Sequence, residues 1–204
     1  SKLVDGFSDI TIGRVADGTG TITVAGATSV NDNLTLVGGS IVSSGAITSN
    51  NNTVTLTART GAITDSNSVT NNVTAASLTA NSATGVDLDT TITTLTAADV
   101  SGTGVIDISN TGALGVTSAT TNNGNITLAS DSGTLTLTSV TATGGNVIAN
   151  ATTSGNISVG SVSGTVVTLG SAAGAITDSN SGTNNITCLL YTSDAGNEQK
   201  PTHP

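Results

Sequence analysis

The residues in this chain that could do chemistry are few, and most are carboxylates. Asp87-Leu88-Asp89 would direct two carboxylates to the same side of an extended segment, because alternate side chains of a strand share a face. Asp65 and Asp178 close two copies of one octapeptide, Gly-Ala-Ile-Thr-Asp-Ser-Asn-Ser, at Gly61–Ser68 and Gly174–Ser181. Such groups could ligate a cation or act on a glycosidic bond. A calcium-binding solenoid, however, repeats Gly-Gly-x-Gly-x-Asp, and neither that pattern nor an EF-hand loop occurs. A polysaccharide-acting β-helix gathers Asp with Arg or Lys, whereas Lys2, Arg14 and Arg59 are scattered. The only Cys is Cys188 and the only His is His203, so no Ser/His/Asp or Cys/His set can form before them. The expectation is no enzyme, no catalytic, cofactor-binding or metal-ligating residues, and Asp as a turn residue.

Two polar patterns also invite a function. Asn33, Asn51, Asn72, Asn125, Asn150, Asn156 and Asn185 each begin Asn-x-Ser/Thr, the acceptor triplet for glycans. In so Ser/Thr-rich a chain the triplet arises by chance. Asn pairs before strands read instead as turn residues, with stacked Asn bridging neighbouring rungs. Thr-x-Thr runs occur at Thr21–Thr23, Thr53–Thr57 and Thr134–Thr138. Ranks of Thr in register on one face would suit ice binding. Here the runs fall in different strands of different coils, so a solvated β-face is expected.

The elements holding these residues repeat. From Ile106 the anchors fall at Ile126, Val147, Val167 and Ile186, in steps of 20, 21, 20 and 19. A second apolar run follows a glycine in most periods, as in Gly45-Ala46-Ile47, Gly112-Ala113-Leu114 and Gly155-Asn156-Ile157. Short runs alternating apolar with small polar residues are strand signals, and glycine suits the bends between them. Two strands and two bends in about twenty residues make one coil of an all-β, parallel, right-handed β-helix or β-solenoid. Ile106, Ile126, Val147 and Val167 should stack as one buried ladder. Roughly nine coils would make a rod of about 45 Å. The 113 positions between the octapeptides read as five or six coils. Residues 77–100 fit least well, as a widened coil or an inserted loop.

Composition agrees. Aromatics are 1% of 204 residues, too few for the large buried aromatics of an immunoglobulin-like sandwich but suited to a narrow aliphatic core. Charged residues are 8%, which argues against disorder in a chain rich in Thr, Val and Ile. The net charge of −9 is spread over separate Asp residues, and four cations leave no footprint for nucleic acid. No apolar run reaches the ~20 residues of a membrane-spanning helix.

The duplicated octapeptide, the Ala76-Ser77-Leu78-Thr79-Ala80 run and Leu88-Asp89-Thr90-Thr91-Ile92-Thr93-Thr94-Leu95 resemble the repeat region of large secreted bacterial haemagglutinin-like adhesins, of the filamentous-haemagglutinin and autotransporter type. The resemblance covers nearly all of residues 7–187. It implies a right-handed β-helix exported to the cell surface as a structural stalk, with a host or neighbouring-cell receptor or glycan met through the full-length protein. It carries over no binding residues. Composition changes abruptly at the end, where Cys188-Leu189-Leu190-Tyr191-Thr192-Ser193-Asp194-Ala195 resembles one reading frame of a transposon-end sequencing adaptor. Residues 1–187 are therefore expected to be solenoid cut mid-repeat at both ends and prone to end-to-end association, and 188–204 a non-native tail.

Overall fold

A computed structural model describes residues 6–67, 71–181 and 184–188. These form nineteen strands and no helix, and every pairing between strands is parallel. The chain winds as a β-solenoid. Its principal ladder runs Ile22, Ile41, Ile63, Val86, Ile106, Ile126, Val147, Val167, one residue per rung over eight rungs. The expected stack of Ile106, Ile126, Val147 and Val167 is thus present in register. The first three are fully buried, and Val167 is partly buried at the last rung. Eight rungs replace the nine expected and span about 35 Å at the usual strand spacing.

Several further ladders complete the core. Ile10, Leu34, Val54, Leu78, Leu95, Val116, Leu137 and Val159 form a second, and Leu36, Leu56, Ala80, Ala98, Ala119, Val140 and Val162 a third. Shorter ones stack Leu88, Ile108, Leu128 and Ala149, and Leu114, Leu135 and Ile157. Each inward side chain meets its counterparts above and below, so burial is continuous although no single coil encloses a core. The third ladder is mostly Ala and Val at its middle rungs, which leaves no room for aromatic rings.

Several coils keep the two strand segments expected, such as Ile126–Ser130 with Leu135–Ala142, and others carry three. In one coil these are Ile106–Asn110, Leu114–Val116 and Ala119–Thr121, before Ile126–Ser130 starts the next rung. The break between the second and third segments falls at a slip in alternation that the neighbouring coil takes within one strand. Leu135, Leu137, Val140 and Ala142 are buried, with two residues rather than one between Leu137 and Val140. The same spacing recurs at Leu95/Ala98, Val116/Ala119 and Val159/Val162, whereas Leu34/Leu36, Val54/Leu56 and Leu78/Ala80 keep strict alternation. The change falls at the pairing of Val73–Ser82 with Val86–Val100, where Leu78 faces Leu95 but Thr79 faces Ala97. Residues 77–100 neither widen nor carry a loop. The coil tightens there to 17 positions between Leu78 and Leu95.

Gly-x-aliphatic marks corner entry, and it marks two different corners. Gly104, Gly124 and Gly145 precede Ile106, Ile126 and Val147 on the principal ladder, while Gly133, Gly155 and Gly174 precede Leu135, Ile157 and Ile176 on the next face. At both corners the backbones of successive rungs touch. A Cβ on Gly124 would lie 1.7 Å from the Gly104 carbonyl oxygen, and one on Gly155 1.8 Å from that of Gly133. Only glycine permits this approach.

The octapeptide shows what the shared signal does. Its first copy places Ile63 on the principal ladder, opposite Ile41; its second places Ile176 opposite Ile157, on the other face. The copies are therefore not a whole number of coils apart, which corrects the five-or-six-coil reading. Each is a bend module with the same internal bonds. Asp65 Oδ1 accepts from Asn67 N at 2.6 Å and Asn72 Nδ2 at 3.1 Å; Asp178 Oδ1 accepts from Asn180 N at 2.7 Å and Asn185 Nδ2 at 2.8 Å. The module also carries Ile186 off the principal ladder: it pairs with Val162. Cys188 ends the strand Ile186–Cys188 opposite Gly164, and residues 189–204, with His203, lie outside the described residues.

Candidate functional site

The carboxylates gather on one outer face. Asp87 and Asp107 are direct partners on adjacent rungs, and Asp89 stands two residues along the same strand with Leu88 buried between them. Loss of hydration raises the pKa of Asp87, Asp89 and Asp107, and mutual repulsion adds to it: Asp107 and Asp65 act on Asp87, Asp65 and Asp87 on Asp89, and Asp89 on Asp107. Among the described residues no three His, Cys, Asp or Glu lie close enough to hold a metal ion. A carboxyl raised above its unfolded value favours the fold when protonated. The row therefore contributes stability at low pH that is lost as pH rises through the carboxylate range. Replacing Asp107 by Asn should stabilise the protein at neutral pH by a few tenths of a kcal/mol, since the exposed side chain is screened by water. Denaturant midpoints at pH 4 and pH 7 should differ less in the variant. Asp178 is shifted the other way, lowered by bonds from the Asn180 backbone and the Asn185 amide.

The Asn residues serve the backbone. Asn33, Asn125 and Asn156 accept from the N–H of Thr53, Asn146 and Ala175 on the next rung, at 3.0, 2.9 and 2.8 Å. Asn110, 3% exposed, accepts from Ile92 N and donates toward the carbonyls of Ile92 and Ala113. Turn chemistry accounts for them, but through bonds to backbone groups and not through the Asn-to-Asn stacking expected.

Thr11, Thr35, Thr55 and Thr79 do fall in register on one face, a rank that the run-by-run reading missed. It extends over four rungs and stops where Ala97 faces Thr79.

One polar notch combines unlike groups. Arg59, Asn81, Asp99 and Ser101 line it with Thr57, in a volume of about 230 Å3. Thr57, Asn81 and Asp99 are register partners on three rungs, and Thr120 follows Asp99 on the fourth. Arg59 donates from Nη2 to the Val15 carbonyl, Thr120 Oγ1 donates to Asp99 Oδ1, and Asn81 Oδ1 is buried without a partner. In sequence these residues are some twenty positions apart and look unrelated. Aligning outward positions rung by rung would have brought them together.

Compared with protein-family models, with curated proteins and with solved structures, the chain matches none.

Proposed function

We propose that this chain is a non-enzymatic stalk or scaffold segment of a secreted, surface-displayed bacterial adhesin, and that its role is to hold a distal binding region away from the cell. The observation that carries the reading is the continuity of the core. Buried aliphatic ladders run from rung to rung through the middle of the chain on every face, so the interior is a packed rod and not a ligand cavity. The octapeptide and the Leu88–Leu95 run supply the adhesin resemblance. Receptor or glycan contacts then belong to the full-length protein.

The test is to display the chain on a bacterial surface between an anchor and a binding head of known ligand. The head should reach a particle-bound ligand better with the solenoid in place than with a flexible linker of equal residue number. Hydrolysis of a polysaccharide by the purified chain, or no gain in reach, would contradict the reading.

Self-association follows the same logic. Among the described residues the last rung exposes Ile176 and Ile186, and Ile12 and Val15 are exposed near the first. Parallel coils stack in one direction, so a second copy can continue the ladder end to end, as unpaired strand edges do. Sedimentation should show oligomers that grow with concentration. A monomer throughout the millimolar range would contradict this.

A further inference from the structure

We infer that Asn123-Gly124 is a site of spontaneous covalent modification, at which the asparagine side chain closes on the next backbone nitrogen and reopens as isoaspartate. The inference does not depend on the stalk reading, because it concerns one corner of the coil whatever the rod is for.

The pair sits in a bend that is pinned around it. Thr121 Oγ1 donates to the Gly124 carbonyl at 2.6 Å, and the Asn122 amide donates to the Ser101 carbonyl on the rung below. Asn123 itself is exposed. Among the described residues, neither its side-chain amide nor the Gly124 N–H makes a hydrogen bond. Both reacting groups are therefore uncommitted. Gly124 also has no Cβ to hinder the approach of its nitrogen to the Asn123 Cγ.

The step needs only water. Water or hydroxide takes the proton of the Gly124 amide, whose nitrogen bonds to the Asn123 Cγ. The Cγ–Nδ2 bond breaks and ammonia leaves. A second water then adds to one of the two carbonyls of the five-membered imide. Opening at Cγ gives aspartate; opening at the backbone carbonyl gives isoaspartate, with the main chain routed through the side-chain methylene.

Comparable pairs are held otherwise. At Asp17-Gly18 the carboxylate is paired with Arg14, and the Gly18 N–H donates to the Arg14 carbonyl. The Asn180 amide donates to the Gly160 carbonyl, and a serine follows it. Asn123-Gly124 is the one Asn-Gly pair in the sequence.

The corner makes the product consequential. A Cβ on Gly124 would lie 1.7 Å from the Gly104 carbonyl oxygen, and one on Gly145 2.0 Å from that of Gly124. A main chain lengthened by one methylene finds no room in such a stack. Isoaspartate therefore opens the corner that leads Ile126 onto the principal ladder.

The experiment incubates the whole folded chain at mildly alkaline pH and then adds hydroxylamine, which cuts a chain at a succinimide. A cut between Asn123 and Gly124 is expected, with isoaspartate at position 123 in peptide maps. Asn122 and Asn180 should convert at least about tenfold more slowly. The aged chain should unfold at a lower temperature than the fresh one. Asn123→Gln, whose longer side chain closes the ring poorly, should show neither the cut nor the loss on ageing. If that variant does not fold, the peptide maps and thermal midpoints of the fresh and aged unaltered chain decide the matter. Three results would overturn the inference. One is conversion only after unfolding in urea, which would mean that the folded corner protects the pair. The second is conversion equally fast at Asn122 or Asn180. The third is an unchanged midpoint in chain that has largely become isoaspartate.

Discussion

Replacing Ile126 by Asp should remove cooperative folding from the middle of the rod. Ile126 is fully buried and lies between Ile106 and Val147 on the principal ladder. A carboxylate there has no partner within reach of the ladder and must either lose its charge or open the coil. The cost is about 4 kcal/mol or more, a large part of the ~5–15 kcal/mol that holds an ordinary domain together. Thr168→Asp is the control: it changes an exposed position and should shift stability by less than about 0.5 kcal/mol. Urea midpoints of the two variants decide it. Equal effects would mean that the inward and outward positions have been confused.

The second large effect is expected at a corner. Gly155 has φ +116, and a Cβ there would lie 1.8 Å from the Gly133 carbonyl oxygen; Gly112 has φ +94 with nothing within 4 Å of a Cβ. Gly112→Ala therefore adds only backbone strain, about 1–3 kcal/mol. Gly155→Ala adds the same strain and also forces two rungs apart. It should lower the thermal midpoint well beyond the Gly112 variant. Matching midpoints would mean that the close backbone stack is not a real constraint.

Much of this architecture was legible in the sequence because a solenoid writes its fold in one dimension. Steps of about twenty between Ile106, Ile126, Val147 and Val167 are the rung register itself, since identical environments recur once per coil. What escaped came from signals that serve more than one place. Gly-x-aliphatic opens both corners, so the second octapeptide appeared to continue the ladder when it had moved to another face, taking Ile186 with it. The third strand segment, where it occurs, was hidden in a spacing of three among spacings of two, visible only once Val116 and Ala119 are both known to be buried. The notch was illegible for a different reason. Its residues are neighbours across rungs, and a coil length that varies from 17 positions upward blurs which outward residues meet.

The measurement that tests the account most directly is cross-linking between rungs. With Cys188 replaced by Ser, cysteines at Thr127 and Ile148, outward partners in the parallel register, should form a disulfide on mild oxidation. Their strands are a spacing apart that such a bond spans. Cysteines at Thr127 and Ala149, one residue out of register with Ala149 buried, should not. Efficient closure of the first pair alone is the predicted result. Closure of the second pair alone, or of neither, would contradict the eight-rung register on which the stalk, its ends and its notch all depend.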